Sequence, residues 1–126
     1  MRILVVDDSA GIGLVLTRYF ERADHICEHL LDAAAALERL ESPPLPDVVL
    51  VDLVMPGMSG RDLVTQMRGR PGTRDLPVVL LSGYAANEDD LPPAGTYRAV
   101  VAKPFDLEEL SAVLVAATSQ SGGHRP

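Results

Sequence analysis

The sequence predicts an α/β domain: a doubly wound, five-stranded parallel sheet of order 2-1-3-4-5 with helices on both faces. Two observations carry this expectation. Short aliphatic runs recur along the chain without polar interruption, as strands buried on both faces require. Between them lie segments whose apolar residues recur with helical spacing, and such alternation implies βαβ units with right-handed crossovers. The 126 residues suffice for one domain and not for two.

Ile-Leu-Val-Val (3–6) forms the first expected strand. From Gly11 onward Ile12, Val15, Leu16 and Tyr19 fall at i, i+3, i+4 and i+7, the stripe of an amphipathic helix. His25 to Leu30 forms a second, less apolar strand suited to a sheet edge. Asp32 is placed to cap a helix whose inner face is Ala33, Ala36, Leu37 and Leu40. Pro43, Pro44 and Pro46 force a loop. Val48 to Val51 makes a third strand ending at Asp52, and Ser59 with Asp62 resembles a capping box ahead of Leu63, Val64 and Met67. Val78 to Leu81, ending at Ser82, and Ala99 to Ala102, ending at Lys103, complete the strands. Asp106 with Glu109 caps the last helix, where Phe105 can staple onto Leu110. A domain over 1–118 and a flexible polar tail over 119–126 are expected.

Composition narrows the function. Eleven Lys and Arg against eighteen Asp and Glu give a net charge of −7, which lacks the cationic surface that nucleic-acid backbones demand. The first apolar run is broken at once by Asp7 and Asp8, too short for a signal peptide or membrane span, so a cytoplasmic protein is expected. The single Cys27 cannot form an internal disulfide and suits a buried apolar position.

In open α/β sheets, ligands bind beyond the carboxyl ends of the strands, where strand order reverses. Here Asp7 and Asp8 follow the first strand, Asp52 the third, Ser82 the fourth and Lys103 the fifth. Singly, each has a bland reading: Asp-Asp as turn chemistry, Ser as a cap, Lys-Pro as a solvated loop. Together they gather on one rim. Crowded carboxylates repel unless a cation intervenes, and an all-oxygen set suits Mg²⁺. No His/Cys set has zinc spacing; His25, His29 and His124 are scattered. Lys103 and Ser82 supply a charge and a hydroxyl for phosphate oxygens, and Asp52 is placed to be a covalent phosphoryl acceptor.

Ile-Leu-Val-Val-Asp-Asp (3–8), Val-Leu-Val-Asp-Leu-Val-Met-Pro-Gly-Met-Ser-Gly (49–60), Leu-Leu-Ser-Gly-Tyr (80–84) and Val-Ala-Lys-Pro-Phe (101–105) together resemble the bacterial response-regulator receiver family, over nearly the whole chain to about Thr118. The resemblance implies a flavodoxin-like fold and a place in a two-component phosphorelay, with Asp52 phosphorylated by a histidine kinase or phosphotransfer protein. It implies Mg²⁺ (or Mn²⁺) held by Asp8, Asp52 and the backbone carbonyl of Val54, with Asp7 acting through water. Lys103 would contact the phosphoryl oxygens, Ser82 would signal the change, and the Lys103–Pro104 bond would be cis. The protein would be no enzyme beyond promoting its own phosphorylation and dephosphorylation. A homodimer through the last strand and helix would be possible.

Three departures stand out. Val100 occupies the place of the family's aromatic switch residue, with Tyr97 three positions earlier. Asn87 to Pro93 should shorten or break the helix that normally follows the Ser loop. Val54 and Tyr84 flank the phosphate in this family and should impede attacking water, lengthening the acyl-phosphate lifetime. A Val54→Asn, Tyr84→Glu variant losing phosphate no faster than the parent would contradict that. Two competing functions are a phosphorylation-independent interaction module of the same fold, which Val100 and the Pro-Pro break favour, and an aspartate-nucleophile phosphatase, which lacks its second acid because Val54 stands there. Ser-Gly-Tyr (82–84) resembles receivers attached to hybrid histidine kinases.

Overall fold

The computed structural model describes residues 1–83 and 86–123, with side chains to residue 119. Five parallel strands, β1 (Arg2–Val6), β2 (Ile26–Leu30), β3 (Val48–Asp52), β4 (Val78–Ser82) and β5 (Ala99–Ala102), form one sheet of order β2-β1-β3-β4-β5. The helices are α1 (Ala10–Arg22), α2 (Ala33–Arg39), α3 (Gly60–Arg68) and α4 (Leu107–Gly123). The predicted architecture and strand order are those observed.

The continuous apolar runs divide by pleat. Leu4, Val6, Val49, Val51, Val78 and Leu80 face α2 and α3, against Ala36, Leu37, Leu63, Val64 and Met67. Ile3, Val5, Val48, Leu50, Val79 and Leu81 face the other way, against Leu16, Phe20, Leu110 and Leu114 of α1 and α4. β2 is the expected weaker edge, with Ile26 exposed and Cys27 buried among apolar neighbours, where burial pushes its thiol up to about 11.

Helix starts follow the expected chemistry. Asp32 accepts from the Ala35 N–H at 2.7 Å, Ser59 from Asp62 N–H at 3.1 Å, and Asp106 from Glu108 and Glu109 N–H at 2.8 and 3.1 Å. α1 differs from expectation. Ser9 caps it by accepting from Ile12 N–H, and its buried face is Gly13, Leu16 and Phe20, leaving Val15 half exposed. The inner stripe is turned by about one residue from the expected one, because Phe20, rather than Tyr19, fills the space beside β1 and β3. At the other end, α4 continues to Gly123, past the domain end expected at 118, and the last residues of the expected tail lie outside the described ones.

The β4–β5 connection carries no α-helix among its described residues, only a 3-10 turn at Glu88–Asp90. Asn87 accepts from Asp89 N–H at 2.9 Å, Asp90 accepts from Asn87 N–H at 2.8 Å, and Pro92-Pro93 then forbid continuation. The substitute for helical packing is arginine. Arg61 donates to the Asp89 carbonyl, and Arg68 donates to the carbonyls of Thr96, Thr73 and Arg74. Lys103–Pro104 is cis, as expected, and so is Pro43–Pro44.

Candidate functional site

Parallel strands deliver their carboxyl ends to one rim, and the reversal between β1 and β3 opens a crevice there. Asp7 and Asp8 leave β1 at that crevice and Asp52 ends β3 beside them; one carboxylate oxygen from each lies within 4.8 Å of the others. Asp7 is fully buried, Asp52 nearly so, and Asp8 faces solvent. From β5, Lys103 reaches across to place Nζ 2.8 Å from Asp7 Oδ2 and 3.3 Å from Asp52 Oδ2. Ser82 ends β4, and its carbonyl accepts from the Lys103 N–H at 2.8 Å, coupling the hydroxyl-bearing strand end to the lysine.

Local backbone fixes each acid. Ser9 N–H donates to Asp7 Oδ1 at 2.9 Å, and Val54 N–H donates to Asp52 Oδ1 at 3.3 Å. Gly60 N–H closes the loop after β3 by donating to the Leu53 carbonyl at 3.0 Å. A side chain at Gly60 would overlap the Asp52 carbonyl, so only glycine lets α3 start against the end of β3.

Electrostatics mark the site as charged against its burial. Burial foremost, and then the Asp7 carboxylate, push Asp52 up to about 6, with Lys103 and the Val54 N–H pulling the other way. Burial works against the Lys103 ammonium, but Asp7 and Asp52 outweigh it and hold the lysine above its ordinary value. Lys103 Nζ, 2.8 Å away, is the one polar group found against the buried Asp7 Oδ2 among the described residues. Three converging carboxylates, two of them buried, are a donor set a hard divalent cation fits.

The model of the response regulator receiver domain matches residues 3–115. The chain belongs to this family. The receiver is 33% identical over 133 residues to the two-component response regulator PhoP of Pseudomonas aeruginosa, covering 98% of the chain and 54% of that protein. It is 40% identical over 120 residues to the sensory/regulatory protein RpfC of Xanthomonas campestris pv. campestris, covering 87% of the chain and 15% of that protein. A sensor protein from Polaromonas sp. JS666 superposes with a TM-score of 0.85 at 27% identity, covering 95% of this chain and 97% of that one. The receiver thus spans about half of one relative and a small part of another. Its function is that of a phosphoacceptor module, and the phosphorylation-independent reading is not favoured.

Of the residues singled out in the sequence, the receiver brings Asp7, Asp8 and Asp52 together and sets Lys103 against Asp7 and Asp52. Val54 is 41% exposed beside Asp52, whereas Tyr84 lies outside the described residues. Val100 is exposed on β5, and Tyr97 instead packs toward the α2 and α3 side of the sheet. One contact gave no sequence signal: His29 of β2 bonds the Asp7 carbonyl through Nε2 at 2.8 Å. No helix among the described residues is long and apolar enough to cross a membrane.

Proposed function

We propose that Asp52 of this receiver takes a phosphoryl group from the phosphohistidine of a histidine kinase or phosphotransfer protein, in a reaction needing Mg²⁺ or Mn²⁺. The observation that carries this reading is the position of Lys103 Nζ between Asp7 and Asp52, with Asp8 completing the acidic cluster. Asp8, Asp52 and the Val54 carbonyl would hold the cation, with Asp7 acting through water. When bound, the cation offsets negative charge on the carboxylates and on the phosphoryl oxygens.

The Asp52 carboxylate attacks phosphorus, a P–O bond forms as the donor's P–N bond breaks, and the electron pair leaves with the imidazole nitrogen. Lys103, already in contact with Asp52 Oδ2, holds the phosphoryl oxygens as a point charge. The Ser82 hydroxyl accepts the role of sensor by hydrogen bonding the phosphoryl group, and its strand end is tied to Lys103. Water is slowed by the exposed apolar Val54 beside the acceptor. The receiver promotes only its own phosphorylation and dephosphorylation. It acts in the cytoplasm by binding a protein partner or a second copy of itself, presenting exposed Val100 of β5 and Val115 of α4.

Fluoroberyllate, a phosphoryl mimic, tests the reading. Added with Mg²⁺ to ¹⁵N-labelled protein, it is expected to shift the amide signals of Asp52, Ser82 and Lys103. Shifts confined to residues away from these strand ends would refute the assignment.

A further inference from the structure

We infer that His29 is a positioning residue for the acidic cluster, holding the Asp7–Asp8 peptide in place from a seat that only Gly13 permits. The inference rests on the proposed cation site of Asp7, Asp8 and Asp52.

The pairing of β1 with β2 runs in register, with Val5 opposite His29 and Val6 opposite Leu30. One residue further, Asp7 N–H still donates to the Leu30 carbonyl at 3.1 Å. Continuation of a parallel ladder would give the Asp7 carbonyl a bond from the Asp32 N–H. Asp32 instead opens α2, its side chain accepting from Ala35 N–H, so the second strand turns away where the donor is needed. His29 supplies the replacement. Its Nε2 lies 2.8 Å from the Asp7 carbonyl oxygen, and because a carbonyl only accepts, Nε2 carries the proton.

That carbonyl belongs to the peptide linking Asp7 to Asp8. Holding that carbonyl restrains ψ of Asp7 and φ of Asp8, and with them the Cα–Cβ bonds from which both carboxylates extend. Ser9 N–H on Asp7 Oδ1 restrains the buried side chain; His29 restrains the backbone that carries the exposed one.

The imidazole needs room against α1. A Cβ built on Gly13 would overlap the ring at Nδ1, Cε1 and Cγ. Glycine inside a helix is less favourable than alanine, and the ring seated over Gly13 explains why a buried helical position lacks even a methyl group. The helix, the edge strand and the acidic loop are therefore joined through one side chain. In metal sites, partners that orient ligands from behind commonly change affinity by 10- to 100-fold when removed.

Mg²⁺ affinity of the full chain, measured by titration calorimetry without phosphoryl donor, tests this alongside thermal melts in EDTA. His29→Ala is expected to weaken Mg²⁺ binding roughly 10-fold, and His29→Gln, whose amide N–H reaches a similar position, to restore it to within about 3-fold. Gly13→Ala alone should weaken binding as His29→Ala does, by displacing the ring, and should add nothing in the His29→Ala background. If His29→Ala fails to fold, the Gly13→Ala and His29→Gln measurements decide the matter. Unchanged Mg²⁺ affinity in folded variants with lowered melting temperature would reduce His29 to a structural clip and overturn the inference. A wild-type chain that binds no Mg²⁺ would instead remove the cation site itself, and the inference with it.

Discussion

Replacing Lys103 with Met will slow phosphoryl uptake about 100-fold and destabilise the metal-free chain by about 2–3 kcal/mol near neutral pH. The ammonium contacts both Asp7 and Asp52, and its side chain is only 20% exposed. Removing it leaves two carboxylates facing each other in a shielded crevice. The energy is set below that of a fully buried pair because Lys103 and Asp8 open on solvent. The sign of the pH dependence follows from Asp52. Without the lysine, its folded pKa rises further above the unfolded value, so the part of the deficit that comes from Asp52 is absent well below the parent's folded value of about 6 and grows as pH rises above it. Mg²⁺ should recover part of the loss, since it offsets the same charge. Urea melts of parent and variant between pH 4 and 8, with EDTA and with Mg²⁺, measure all of this. A deficit independent of pH would point instead to lost packing of the lysine stem.

Asp52→Asn is expected to make the metal-free protein more stable than the parent at pH 7.5. Burial first, then Asp7, raise Asp52 from an ordinary 3.8 to about 6. A carboxyl raised in the folded state contributes stability that is complete below pH ~4 and lost as pH rises through ~6. At about 1.4 kcal/mol per pH unit the loss is at most about 3 kcal/mol, and the asparagine variant escapes it. The melting curves should converge near pH 4 and separate above pH 6. Saturating Mg²⁺ should narrow the gap, because only the parent offers a charged ligand at that position. A variant less stable than the parent at pH 7.5 in EDTA would show that the Lys103 contact outweighs the burial.

The rim was legible in the sequence because strand ends were. Val48 to Val51 and Val78 to Leu81 are apolar without interruption since the sheet is covered twice, so Asp52 and Ser82 stand out as the first polar residues after each run. Parallel topology then brings them together whatever their separation along the chain. The phase of α1 was less legible: Val15 and Tyr19 match a helical stripe as well as Gly13 and Phe20 do, and only packing against the sheet chooses between them. Least legible were bonds to backbone carbonyls far away in sequence. Arg68 holds Thr96, and His29 holds Asp7 over Gly13, and neither arginine nor histidine announces such a partner locally. The shortened β4–β5 helix was visible in Pro92-Pro93, but its arginine replacement was not.

The central claim is that Asp52 is the phosphoryl acceptor. Intact mass after incubation with acetyl phosphate and Mg²⁺, for the parent and for Asp52→Asn, tests it most directly. The account predicts a gain of one phosphoryl group in the parent, lost with EDTA and absent in the variant. No gain in the parent, or an equal gain in Asp52→Asn, would contradict it.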